Sequence, residues 1–166
     1  MPPLQLREHV WRALQNAVRQ SLTKLDSWDL DFVRERLLRK GYDQFHASDL
    51  VQEYRHYLAL LVLSPGRSHT LAGPVDQVWH EHILHTREYD HFCYSVFGRF
   101  VHHSPSSLDD SPKTGGAYLD TVEELRLFFT DFAAHAWPDQ SVTFCDSCRD
   151  IVPEEMLGAS VFSQMH

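Results

Sequence analysis

Six of the twelve histidines fall in one short stretch: His80, His82, His85, His91, His102 and His103. Imidazole is the commonest metal ligand and the side chain that exchanges protons near neutral pH, so this density points to metal binding or acid–base chemistry. Asp76 precedes His80 by four residues, a spacing that sets carboxylate and imidazole side by side on one helical face. The pair reads either as two ligands or as one ligand and the carboxylate that orients it. At ~100° per residue, Val75, Trp79, His82, Thr86, Tyr89, Cys93 and Phe97 share a second face, which turns His82 inward among apolar groups. The chain turns after Gly98, so that Val101, His102 and His103 can fold back toward the helix. The candidate ligands are therefore Asp76, His80, His82, His102 and His103, with Tyr89 as the candidate catalytic group for moving protons. Such a set suits iron, copper, zinc or manganese, and open coordination positions would permit chemistry. The plainer alternative makes Trp79, Tyr89 and Phe97 core, His82 a buried histidine satisfied by a neighbour, and His85 and His91 exposed.

Two familiar motifs are tested by the same residues. The zinc-protease pattern H-E-x-x-H requires a second histidine four residues after the first, and after His80-Glu81 that position is Leu84, so the match fails. Cys145 and Cys148 form C-x-x-C, which reads as half of a zinc site, a redox pair, or a coincidence. No second C-x-x-C exists, so a four-ligand zinc site would draw on His135, His166 or another chain. Cys93, on the inward face, reads as a small hydrophobe.

These residues must be held by a scaffold, and the periodicity supplies one. Leu4, Val10, Leu14, Val18, Leu22 and Leu25 recur at helical spacing and predict a first helix over 6–25. Leu30 to Leu38 predicts a second, ended by Gly41. A third, over 50–63, opens at Ser48 or Asp49 and stops at Ser64-Pro65-Gly66. Residues 73–98 read as one long helix carrying the motif, and 99–116 as a loop. Residues 117–136 read as a fifth helix and 137–166 as an irregular tail. The expected architecture is all-α: a single domain over 1–166, in which about five helices form a bundle and residues 1–63 act as scaffold for the 73–105 motif.

With 166 residues, 43% hydrophobic, the chain is long enough for one well-formed core. Its formal charge of −8 argues against general nucleic-acid affinity, which needs clustered cations. Arg34, Arg36, Arg39 and Lys40, interleaved with Glu35, read as a solvated helix face. No apolar run is long enough to span a membrane, the first residues lack the pattern of a signal peptide, and three cysteines fit a reducing compartment, so a soluble cytoplasmic protein without structural disulfides is expected.

The run from Val75 through Asp76, Trp79, His80, His82, Thr86 and Tyr89 to Phe92-Cys93, continued by Phe97-Gly98 and His102-His103, resembles the signature of the glycine-rich domain-containing protein-like family. That resemblance covers about thirty residues, and the glycine-rich region naming the family is absent. It implies functional weight for Asp76, Trp79, His80, Thr86, Tyr89, Cys93, Gly98, His102 and His103, with His82 matching only some members, and favours His80 and His103 as ligands. Two expectations for function follow. One is a metal-dependent enzyme acting on a metabolite or peptide. The other is a non-catalytic helical module, docking a protein partner or binding metal structurally, with Trp137 and Phe162 as interface anchors.

Overall fold

The computed structural model describes residues 2–71, 73–103 and 113–138. Seven α-helices lie within them: α1 (Glu8–Ala13), α2 (Asn16–Ser27), α3 (Asp31–Arg39), α4 (Gln44–Leu63), α5 (Gly73–Leu84), α6 (Thr86–Phe97) and α7 (Lys113–Phe128), with a 3-10 turn at Ala134–Ala136. The all-α expectation holds, but the count of about five helices is too low because two expected helices break.

The expected helix over 6–25 divides at Leu14 and Gln15, both extended. Neither is a helix breaker by type. The Arg19 guanidinium instead collects the carbonyls stranded at the break, reaching Trp11 O at 2.6 Å and Leu14 O at 3.2 Å. The expected helix over 73–98 divides at His85, whose φ/ψ of −87°/62° leaves the helical region. There the ring itself takes up a backbone carbonyl, His85 Nδ1 donating to Glu81 O at 2.9 Å.

α4 starts earlier than expected because Asp43 is its N-cap, accepting the His46 N–H at 2.9 Å. The predicted fifth helix stops at Phe128 and not near residue 136. An antiparallel bridge between Leu6 and Phe129 draws the chain away, with Arg7 N–H donating to Phe128 O and Thr130 N–H to Gln5 O, each at 2.9 Å. Among the described residues no β-strand is formed.

α4 is the central helix, packed against α2, α3, α5 and α7. Its residues 50–60 are buried on every side, apolar Leu50, Val51, Tyr54, Leu58 and Leu60 together with polar Gln52, Glu53, Arg55 and His56. Each fully buried aliphatic contributes about 1.5–3 kcal/mol before chain entropy is counted. α3 is tied to α5 through Glu81, buried between Arg36 at 3.0 Å and Lys40 at 2.8 Å. Burial raises the Glu81 carboxyl, but hydrogen bonds and charge from the two cations outweigh it, and its pKa falls below the ordinary value. Arg36 and Lys40 thus serve an ion pair, a correction to the solvated role expected of them, while Arg39 and Glu35 keep the solvated face of that helix. No helix among the described residues is long and apolar enough to cross a membrane.

Candidate metal centre

Gly73, with φ of +59°, and Pro74 start α5, and Pro138 packs so close to Gly73 that a Cβ there would meet its ring at 2.9 Å. One turn in, Asp76 is almost fully buried, its charge favoured by the positive end of the helix dipole. His80 follows one turn later. Its Nδ1 donates to the Asp76 carbonyl at 2.9 Å and lies 3.4 Å from Asp76 Oδ2. That bond fixes the ring and leaves Nε2 as the free ligand atom.

The third member comes from beyond α6. Gly98, in the left-handed region at φ of 70°, caps α6 and turns the chain. His103 then returns to place Nε2 2.8 Å from Asp76 Oδ1. Its ring lies 4.5 Å from that of His80 and packs edge-on at 4.5 Å against Trp79. One ligand atom from each of Asp76, His80 and His103 lies within 4.8 Å of the others, and among the described residues this is the one such group of three or more.

The other sequence candidates fall outside this group. His82 is fully buried in an aromatic cage, its ring 5.0 Å from both Tyr89 and Phe92 and 5.7 Å from Phe32, and its Nδ1 lies 2.9 Å from the Tyr54 hydroxyl. Burial, aided by the nearby His85, pushes its pKa down to about 3, so it is a neutral core histidine. The inward orientation was readable; the ligand role does not go with it, because the inward face opens on the core and not on Asp76. His102 is exposed, with its ring 4.9 Å from Phe100. Tyr89 is not placed to move protons. Its hydroxyl donates to Val101 O at 2.6 Å and accepts the Trp79 indole N–H at 2.9 Å, and burial pushes its pKa far above the ordinary value despite that indole bond. It tethers the returning loop two residues before His103. Cys93 is a free, buried thiol whose pKa is raised by burial. Cys145 and Cys148 lie outside the described residues.

A second histidine–carboxylate centre escaped the reading of the sequence. His56 on α4 is fully buried, its Nδ1 3.1 Å from Glu53 Oε1 and its Nε2 3.3 Å from Asp131 Oδ1, with Phe129 stacked on the ring at 4.4 Å. Glu53 also accepts Ala133 N–H at 2.8 Å and the Trp137 indole N–H at 2.7 Å. Burial opposes the imidazolium, but hydrogen bonds to Asp131 and Glu53 and their charges outweigh it, lifting the pKa to about 9. The available signal was Glu53 and His56 at i,i+3 spacing between the apolar runs Leu50-Val51 and Leu58-Ala59-Leu60-Leu61.

The chain belongs to the UCP032817-like family, whose profile matches residues 18–120, from within α2 to within α7. This overturns the resemblance to the glycine-rich domain-containing protein-like family. That likeness rested on about thirty residues of α5, α6 and the following turn, whereas the UCP032817-like match also takes in the scaffold helices α3 and α4. No curated protein and no solved structure matches the chain.

Proposed function

We propose that this member of the UCP032817-like family is a metal-binding helical protein in which Asp76, His80 and His103 hold a divalent transition ion, iron, copper or zinc. The observation that carries the reading is the convergence of those three side chains from two separate elements, with ligand atoms within 4.8 Å of one another. The residues fit such an ion: an almost fully buried carboxylate supplies charge, and hydrogen bonding of His80 Nδ1 to a backbone carbonyl leaves Nε2 available.

Three protein ligands among the described residues, in place of four, leave a coordination position for water or substrate, the pattern of catalytic sites. The His80 side chain is 36% exposed, which gives the position access to solvent. The favoured role is a small cytoplasmic metal-dependent enzyme acting on a metabolite or peptide. There the ion would polarise a substrate oxygen or activate water, Asp76 and the imidazoles would hold it, and Trp79 would fix the His103 ring. The alternative is a non-catalytic module in which the same ion clamps α5 to the segment after α6.

Elemental analysis of the purified chain, paired with His80→Ala and His103→Ala, tests the reading. Both variants should lose the bound metal while keeping wild-type helicity. A wild-type protein that binds no stoichiometric iron, copper or zinc rejects it. A reaction that disappears on chelation without unfolding selects the enzyme over the structural module.

A further inference from the structure

We infer that His46 and His135 form a second site for a divalent cation of zinc's class, at the junction of the α4 N-terminus and the 3-10 turn. It is independent of the Asp76 centre. Asp43 caps α4 with one oxygen and holds His46 with the other, Oδ2 lying 2.6 Å from Nδ1. The ring is therefore oriented by a carboxylate that is itself anchored to the backbone, and the remaining nitrogen, Nε2, is the one left for a ligand bond. His135 is arranged in the mirror sense: its Nε2 lies 3.2 Å from Asp49 Oδ2, leaving Nδ1. His46 thus carries the hydrogen-bonded carboxylate partner that metal-bound histidines use to fix their tautomer and raise their basicity, and Asp49 lies within ion-pair range of His135.

The two rings are 5.7 Å apart and nearly perpendicular. Phe45 packs edge-on against His46 at 5.6 Å and stacks on His135 at 6.4 Å, which restricts both rings. Side-chain exposures of 22% and 42% leave them reachable from solvent. The buried His56 differs in this respect, with both ring nitrogens facing carboxylates inside the core. Two neutral imidazoles backed by two carboxylates balance the charge of a divalent ion, and the nitrogen-rich donor set selects zinc, copper or nickel over magnesium or calcium. Water completes the coordination. Because one ligand belongs to α4 and the other to the 3-10 turn, the ion would staple the segment after α7 to the central helix.

The test is a zinc chloride titration of the full, tag-free chain, followed by calorimetry and by competition with a zinc-chelating dye. The wild type should bind two zinc ions. His46→Ala and His135→Ala should each remove one with helicity unchanged, and Asp49→Asn, which keeps both ligands, should weaken that ion about 10–100-fold. His80→Ala with His103→Ala should remove the other. If His46→Ala and His135→Ala leave the stoichiometry and affinity of the wild type intact, or if the wild type binds no zinc, the second site is rejected. A single zinc that survives His80→Ala with His103→Ala but is lost in His46→Ala would reject the Asp76 centre and uphold this one.

Discussion

Two histidine–carboxylate centres, one sealed in the core and one partly open at His80, teach by contrast what separates a scaffold ion pair from a site. Around His56, the ring nitrogens face Glu53 and Asp131, and Glu53 also accepts two N–H donors. Around Asp76, one carboxylate meets two imidazoles, and at least His80 keeps a nitrogen in reserve at a partly open surface. The residue types are the same. Spare ligand capacity and access are what differ.

The sharpest way to break the contrast is His56→Ala. It leaves Glu53 buried without its cation, and the expected loss is about 3–5 kcal/mol of unfolding free energy in urea titration. A loss below about 1 kcal/mol would mean that His56 is not the structural member of the pair.

Next is the pH dependence. The folded pKa of His56 is raised from 6.5 to about 9, so its contribution is complete below pH 6.5 and is lost as pH rises through 9; at ~1.36 kcal/mol per unit this is on the order of 3 kcal/mol. His82 runs the other way. Its folded pKa is lowered from 6.5 to about 3, so stability is present above pH 6.5 and is lost as pH falls toward 3. Glu81, also lowered, adds to the acid loss below its ordinary 4.5. Stability measured against pH should therefore crest near neutrality. His56→Gln should flatten the alkaline limb, and His82→Gln should flatten the limb between pH 6.5 and 5.

At the Asp76 centre the sign of the effect comes from the ligand. Metal at 100 times its dissociation constant should raise unfolding free energy by about 2.7 kcal/mol, seen as an upward Tm shift that His103→Ala abolishes. The smallest effect belongs to the surface: Arg12→Ala removes an exposed i,i+4 pair with Glu8 and should change stability by no more than about 0.5 kcal/mol.

The legible parts of the fold were those written in local spacing. Asp76 and His80 were readable as neighbours from their four-residue separation, and the return of His103 from the turn at Gly98. The breaks at Leu14-Gln15 and at His85 were not, because no proline or glycine marks them. Each is stabilised by a side chain, Arg19 or His85, that substitutes for a lost backbone bond. His56 was hidden for a related reason: Asp131 and Trp137 complete its environment from about 80 residues away, and periodicity carries no information at that range. The early end of α7 was likewise set by a distant partner, Leu6.

That pairing of Leu6 with Phe129 closes a loop of more than a hundred residues around the helices. Closing such a loop carries an entropic penalty that the bridge can meet only after the intervening helices have docked. We predict that the clasp is a late event in folding, absent from the transition state. Weakening it with Thr130→Pro, which removes the N–H bonded to Gln5, should accelerate unfolding and leave the folding rate nearly unchanged in stopped-flow chevrons. A slowed folding limb would place the clasp in the nucleus. A bridge that closes late would act on the lifetime of the native state more than on the speed of reaching it.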